Sequence, residues 1–140
     1  MNSICIFGVF VADLCFFGNK IPVKGETVLG NNYIVGPGGK GSNQAIAAAR
    51  LNGNIHFITK VGNDNHADMA FSLYKEAGVN VDCIIRDPSL STGVAGIMID
   101  EDGNNAINVF AGAAKHLKND DIDKNLEIFK KSKIFLTQME

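Results

Sequence analysis

A glycine-rich segment that carries a lysine and an asparagine is the strongest chemical signal in the sequence. Residues 36–41 read Gly-Pro-Gly-Gly-Lys-Gly, and a helix is predicted after them, over residues 42–52. Glycines let a backbone approach a ligand closely, and the N–H groups at a helix start point at electronegative atoms. Lys40 adds a positive charge and Asn43 an amide. The segment predicts a site for a hydroxyl-rich or anionic small molecule, with a tight strand-to-helix turn as the alternative.

The same segment matches two known phosphate-binding patterns only in part. Gly36, Gly38 and Gly41 satisfy G-x-G-x-x-G, but a dinucleotide fingerprint follows the first parallel strand directly, and the first strand is predicted at residues 3–9. A Walker A loop needs Ser or Thr after its Gly-Lys pair, where this sequence has Gly41. The Walker pattern is therefore excluded, and a dinucleotide-binding module is kept as an alternative.

Two acidic residues are predicted to lie beside this segment. Asp13 comes just past the carboxyl end of the first strand, and Glu140 ends the last predicted strand, over residues 134–139. In open parallel sheets, ligands bind at the carboxyl ends of the strands, so both carboxylates are expected at one edge with the glycine segment. Carboxylates there accept hydrogen bonds from sugar hydroxyls. An exposed turn aspartate is the alternative interpretation of Asp13.

The hydrophobic pattern indicates which elements position these residues. Strands are predicted over residues 3–9, 55–60, 79–85 and 134–139, and helices over residues 42–52, over residues 65–77 and from about residue 120. This alternation is typical of a mostly parallel sheet with helices packed on it. Two turn-rich strand groups, residues 13–36 and 93–111, break the alternation and are predicted to form a separate flap. The second group is predicted to be a hairpin, with strands over residues 93–99 and 105–110 around an Asp-Gly turn.

Composition and charge exclude several classes of protein. The 140 residues include 13 Lys and Arg against 15 Asp and Glu, and the basic residues form no stripe that would bind nucleic acid. No run approaches the roughly 18 apolar residues of a membrane span. Cys5, Cys15 and Cys83 have no spacing of a disulfide framework or a zinc site, and no histidine pair has metal-ligand spacing. These features predict a cytoplasmic protein without a bound metal in this chain.

Several motifs, in order along the chain, resemble the N-terminal half of the ribokinase-like, PfkB-type carbohydrate kinases. The most specific is Gly-Gly-Lys-Gly-Ser-Asn-Gln-Ala, at residues 38–45. Residues 7–13 are similar to the first-strand motif of the family, and residues 22–27 to its Pro-x-x-Gly-Glu-Thr turn. The lid hairpin and its exit are matched by residues 91–95 and 111–113, and the strand end that carries a sugar-binding glutamate by residues 138–140.

The resemblance implies a central sheet with helices on both faces, and a β-flap that covers the sugar and forms a homodimer contact. The flap would comprise residues 13–36 and 93–111. The reaction would be transfer of the γ-phosphoryl group of ATP to the 5-hydroxyl of ribose, with Mg²⁺ and K⁺ as cofactors. The substrate-binding residues that the resemblance implies are Asp13, Gly38, Gly39, Lys40, Asn43, Glu140, Ala95, Ile97 and Val109.

The sequence departs from the family pattern in two respects. Val11 stands where the family usually has an asparagine, two residues before the sugar-binding aspartate, so the identity of the sugar stays open. The resemblance also covers only the sugar-binding half. The catalytic base and the sites for ATP, Mg²⁺ and K⁺ are expected in a C-terminal half, so no catalytic residue is expected in residues 1–140 and this chain is expected to be inactive alone. The alternatives are a kinase for another sugar or a nucleoside, and a non-catalytic sugar-binding or dimerisation remnant.

Overall fold

The computed structural model describes residues 3–139, and the elements in that part of the chain form two β-sheets with helices packed on the first. In chain order the elements are β1 (Ser3–Phe7), β2 (Val11–Phe17), β3 (Asn32–Gly38), α1 (Lys40–Arg50), β4 (Asn54–Val61), α2 (Asn65–Ala77), β5 (Val79–Asn80), β6 (Ile84–Arg86), β7 (Gly93–Ile99), β8 (Asn105–Phe110), a 3₁₀ helix (Gly112–His116), α3 (Asn119–Asp123), α4 (Leu126–Lys131) and β9 (Ile134–Thr137).

The first sheet, the core sheet, is parallel and has the strand order β5-β4-β1-β9, with β6 paired to the later part of β4. One face packs on α1 and α2, where Ile6, Phe57 and Tyr74 are fully buried. On the other face, Cys5 and Ile58 pack against Phe129 of α4. Because both faces are covered, β1 and β4 are apolar along most of their length. The predicted fold class, a mostly parallel sheet between helices, is confirmed.

The second sheet, the flap sheet, has the strand order β3-β2-β7-β8. Strand β2 pairs with β3 in antiparallel fashion and with β7 in parallel fashion, while β7 and β8 form the hairpin. The two strand groups that broke the alternation in the sequence therefore come together in one sheet. In its register, Asp13 lies opposite Gly36 on one side and Ala95 on the other.

Three elements begin and end at the residues that the sequence predicts. Helix α2 starts after Asp64, whose side chain accepts a hydrogen bond from the N–H of Ala67 at 3.0 Å, and ends at Gly78 in the left-handed conformation. Strands β7 and β8 flank a turn in which Asp100 accepts hydrogen bonds from the N–H groups of Asp102 and Asn104. Local side-chain signals fix these boundaries.

Other predicted boundaries were wrong. Helix α1 runs from Lys40 to Arg50 rather than over residues 42–52, and residues 36–38 belong to β3 because they pair with β2. The strand expected over residues 79–85 is split into β5 and β6 by a turn in which the N–H of Asp82 donates to Asn80 Oδ1. The third helix is split into α3 and α4, and the last strand ends at Thr137.

A partly buried hydrogen-bond network anchors the flap sheet to α2. The Asp64 carboxylate accepts hydrogen bonds from the N–H and the hydroxyl of Thr92, both at 2.7 Å. The Thr92 hydroxyl oxygen accepts a third bond from the N–H of Gly62 at 2.9 Å. Thr92 is buried and directly precedes β7, so this network fixes the point at which the chain enters the flap hairpin.

The cysteines are free thiols, and burial together with the neighbouring Cys83 raises the pKa of Cys5 to about 11. Among residues 3–139, no group of three or more His, Cys, Asp or Glu side chains is placed to hold a metal ion. Within the same range, no helix has the length and apolar character to span a membrane.

We predict that Asp64→Asn lowers the free energy of unfolding by about 1–3 kcal/mol at neutral pH. Burial raises the pKa of Asp64, but the hydrogen bonds from Thr92 and Ala67 lower it further, so the net shift is downward. A carboxylate with a depressed pKa stabilises the fold above its unfolded pKa, about 3.9, and loses that contribution as pH falls through the folded value. Denaturant unfolding at pH 7 and at about pH 3 measures both effects.

The matched control for this prediction is Asp102→Asn, in the exposed turn of the β7–β8 hairpin. The difference in stability between wild type and Asp64→Asn should shrink at the acidic pH. An equal difference in the free energy of unfolding at both pH values would contradict the prediction. It would show that the hydrogen bonds from Thr92 do not depend on the charge of the Asp64 carboxylate.

Candidate functional site

A cavity of about 610 Å³ lies where the core sheet, the start of α1 and the flap sheet meet. Phe7 and Thr137 contribute the carboxyl ends of β1 and β9, the edge at which ligands bind in open parallel sheets. The inner face of the flap sheet and the 3₁₀ helix form the opposite wall. The cavity is therefore the best candidate for a small-molecule site among the described residues.

Most of the residues predicted from sequence line this cavity. The seven that do so are Asp13, Gly39, Lys40, Asn43, Ala95, Ile97 and Val109. Gly38 is not in the wall, but it is buried directly against the Asp13 carboxylate, which a Cβ atom at residue 38 would overlap. Glu140 lies outside the described residues.

The start of α1 is positioned by a backbone contact that requires glycine. Gly39 has φ of 89° and precedes the helix, and a Cβ atom there would collide with the carbonyl oxygen of Val9. The N–H of Ser42 donates to that same oxygen at 3.3 Å. This contact holds the first turn, with Lys40 and Asn43, over the connection that follows β1.

The structure corrects the element that carries Asp13. The aspartate was expected in the connection just past β1, but β2 already begins at Val11, because Val11 pairs with both Gly38 and Gly93. Strand alternation then places Val11 and Asp13 on the cavity face of the flap sheet. Burial raises the pKa of Asp13, because it disfavours the charged form of the carboxyl group. Hydroxyl donors of a ligand would stabilise that charge by hydrogen bonding.

The flap side of the cavity wall is mostly apolar. Ala95 is buried, whereas Ile107 and Val109 on β8 are 55% and 57% exposed. Branched side chains with this much exposure, facing a cavity, suit contact with the carbon-bearing surface of a ligand. Together with Val11, they give the cavity one polar end and a larger apolar wall.

The 3₁₀ helix is a wall that sequence reasoning missed. Ala114, Lys115 and Leu117 line the cavity, whereas the sequence indicated only that residues 111–113 leave the flap. Lys60 of β4 positions this helix: its Nζ donates to the carbonyl oxygen of His116 and pairs with the carboxylate of Asp121, both at 2.8 Å. A lone lysine at the end of a strand gives no signal of such a distant role.

Gln138 also lines the cavity, although the sequence indicated it only as part of a strand end. Its Nε2 donates to Gln44 Oε1 of α1 at 2.6 Å. Its Oε1 is buried against Gly8 and Gly41, where a side chain at either glycine would displace it. Gln138 therefore joins the end of β9 to α1.

The assembled groups suit the binding of a small polar molecule. The polar end offers a carboxylate, an ammonium group, an amide and backbone groups of a helix start, which together bind hydroxyls or an anion. The apolar wall suits the non-polar face of the same molecule.

The chain is similar to known proteins over most of its length. Residues 1–138 match the family model described as pfkB family carbohydrate kinase. The chain is similar to a deoxyribokinase of Salmonella typhi, with 37% identity over 99% of the chain and 45% of the relative. It is also similar to a ribokinase of Bacillus subtilis (strain 168), with 40% identity over 87% of the chain and 40% of the relative.

A solved structure has the same fold over nearly the whole chain. The ribokinase of Arabidopsis thaliana, complexed with ribose and ATP, superimposes with a TM-score of 0.85 and 29% identity, over 99% of this chain and 46% of that one. The chain thus spans less than half the length of the relatives that it matches.

We predict that Gly38→Ala lowers the free energy of unfolding by about 1–3 kcal/mol, because its Cβ atom would overlap the Asp13 carboxylate. Gly36→Ala is the matched control, in the same strand and opposite Asp13 in the register, with no atom within 4 Å of the added carbon. That control should change stability by less than about 1 kcal/mol. Denaturant unfolding of both variants measures the difference, and equal effects would contradict the proposed contact.

Proposed function

Because the chain belongs to the pfkB family of carbohydrate kinases, we propose that it forms the sugar-binding half of an ATP-dependent pentose kinase. The observation that carries the proposal is the meeting of Asp13, Lys40 and Asn43 at the polar end of a cavity whose flap side is mostly apolar. A pentose has hydroxyls for such an end and C–H faces for such a wall. Nothing in that combination requires a phosphate or a nucleobase on the acceptor.

We propose a role for each substrate-binding residue predicted from the sequence. Asp13 accepts hydrogen bonds from two sugar hydroxyls, which stabilise the charge that burial disfavours. Lys40 and Asn43 bind further hydroxyls, while Gly38 and Gly39 let the backbone approach the sugar. Ala95, Ile97 and Val109 cover its apolar face. Glu140 completes the polar end in the proposal, on the strength of the sequence motif alone.

Two sugars are candidates for the substrate. Ribose, phosphorylated at its 5-hydroxyl, is the first, since several similar proteins are ribokinases. A deoxyribose is the second, because Val11 lines the cavity two residues before Asp13 and offers no polar atom, and because another similar protein is a deoxyribokinase. Another sugar, a nucleoside, or a role in sugar binding without catalysis are the remaining alternatives.

ATP is the proposed phosphoryl donor, as in the ribokinase structure that contains ribose and ATP. The family implies Mg²⁺ and K⁺ as further cofactors, but residues 3–139 hold no cluster of side chains that fits a metal ion. We therefore derive no step through either ion. This chain would bind and orient the sugar, and the catalytic base and the donor site would come from a C-terminal half.

The outer face of the flap sheet is the proposed homodimer contact. Phe16, Met98 and Phe110 are 36–59% exposed on the face opposite Asp13. Exposed apolar side chains on adjacent strands are typical of surfaces that another protein covers. Light scattering of the intact protein tests this dimer.

We also propose a cytoplasmic location, in keeping with three free cysteines, and cell fractionation tests it.

We predict that Asp13→Ala, in a protein that joins this chain to its catalytic half, lowers kcat/KM for the sugar at least about tenfold. A charged acceptor contributes roughly 1.5–3 kcal/mol per hydrogen bond to a ligand, and 1.4 kcal/mol corresponds to one factor of ten. The KM for ATP should stay the same, because no ATP contact is assigned to this residue. Steady-state kinetics and calorimetric titration with ribose and 2-deoxyribose measure the effect. Unchanged sugar affinity would remove the main support for this site.

Val11 allows a test of which sugar the cavity binds. Val11→Asn should improve ribose binding if ribose is the substrate, because it supplies a polar partner for a hydroxyl at the wall of the cavity. If the substrate is a deoxyribose, the same change should have no effect or weaken binding, since a polar group would be desolvated without a partner. Calorimetric titration of wild type and variant with both sugars separates the two outcomes.

We predict that the 140-residue chain alone phosphorylates no sugar, because proton transfer and stabilisation of the transferred group need residues that it does not contain. A coupled ATPase assay with ribose and 2-deoxyribose measures this. Activity of the purified chain would overturn the division between a sugar-binding half and a catalytic half.

A further inference from the structure

The first turn of α1, which carries Lys40 and Asn43, has little support from its own sequence. Gly39 at the N-cap has no side chain with which to accept a hydrogen bond, and the turn contains no acidic residue. Both are usual means of stabilising a helix start. The position of this turn in the cavity wall therefore depends on contacts from other elements.

Tyr74 of α2 provides one such contact through its hydroxyl. Its O–H donates to Ser42 Oγ at 2.8 Å, and both side chains are fully buried. Ser42 lies in the first turn of α1, between Lys40 and Asn43. A hydrogen bond between two buried hydroxyls fixes the distance between α2 and this turn, because breaking it would leave two polar groups without partners.

The ring of Tyr74 contacts the other polar segment of the site. It packs edge-to-face on Phe10, with ring centroids 6.0 Å apart and an interplanar angle of 77°. Phe10 is buried in the connection that leads into β2 and lies three residues before Asp13. Phe57 packs on the tyrosine ring in the same geometry at 5.4 Å and holds it on the core sheet.

We propose that Tyr74 is a positioning residue for sugar binding, acting through Ser42 and Phe10 without touching the sugar. One side chain contacts both segments that form the polar end, so it sets the separation of Asp13 from Lys40 and Asn43. The sequence motifs of the site do not include it. This inference rests on the proposed function, since it assigns Tyr74 a role at that same site.

The test is Tyr74→Phe in a protein that joins this chain to its catalytic half. This variant keeps both ring contacts and removes only the hydroxyl. We expect the KM for the sugar to rise about tenfold, with the KM for ATP unchanged, because a small misplacement of binding groups is costly. Hydrogen exchange at residues 41–44 should become faster in the same variant.

Two further variants separate positioning from a general loss of stability. Ser42→Ala should raise the sugar KM similarly, and the double variant should be no worse than either single variant. Ser132→Ala is the matched control, since it removes a hydroxyl that donates to the carbonyl oxygen of Ile128 at 2.8 Å, at the end of α4. It should leave the sugar KM unchanged even if it lowers the melting temperature.

The outcomes distinguish this inference from the proposed function. An unchanged sugar KM and unchanged exchange in Tyr74→Phe, with an active wild type, would overturn the inference alone. A lower melting temperature with an unchanged sugar KM would do the same, because it would show that Tyr74 is only structural. A wild type that binds no sugar would overturn the proposed function, and the role of Tyr74 with it.

Discussion

The direct contact between the backbone of α1 and the connection that follows β1 is the constraint on which the site depends. A side chain at residue 39 would collide with the carbonyl oxygen of Val9, and a Cβ atom at Gly8 or Gly41 would come within 2.9 Å of the other residue's Cα. Two glycines facing each other let the helix start lie directly on the carboxyl end of β1. Lys40 and Asn43 enter the cavity wall for that reason.

The flap is attached to the core sheet by the same kind of constraint. The short segment before β7 is surrounded by Gly62, Gly93 and Gly112. A side chain at Gly62 or Gly112 would overlap the backbone of this segment, and one at Gly93 would overlap the carbonyl oxygen of Ala111. The hydrogen bonds that Thr92 donates to Asp64 hold the segment in place. The height of the flap above the polar end is therefore set by contacts within the protein. This is a form of preorganisation that reduces the cost of binding.

The sequence predicts those elements whose boundaries are set by local chemistry. Asp64 and Gly78 end α2 on both sides, and an Asp-Gly turn defines the β7–β8 hairpin. Glycine and proline at residues 36–38 favour a loop over a strand, but pairing with β2 overrides that tendency. The break between α3 and α4 was missed, since the apolar spacing continues across it.

In the candidate site, Asp13, Lys40 and Asn43 could be predicted from sequence, because a carboxylate, an ammonium group and an amide beside a glycine-rich segment indicate ligand binding. The 3₁₀ helix wall and Tyr74 could not be found. Lys60 contacts the 3₁₀ helix, and Tyr74 contacts Ser42 in the first turn of α1, so both effects come from residues that lie far apart in the chain. No local pattern encodes such pairings. A central aromatic residue in an amphipathic helix indicates only a buried core.

The strand pairing has a consequence for how the chain folds as it is synthesised. Strand β1 pairs with β4 and β9, and β2 pairs in parallel with β7, so the first two strands made have partners that emerge much later. The β2–β3 hairpin can form early, but the other edge of β2 stays unpaired until residues 93–99 have been made. Long-range parallel pairing of this kind folds slowly and leaves strand edges open to wrong partners. The cavity is thus among the last features to form, because residues of β7, β8 and β9 all line it.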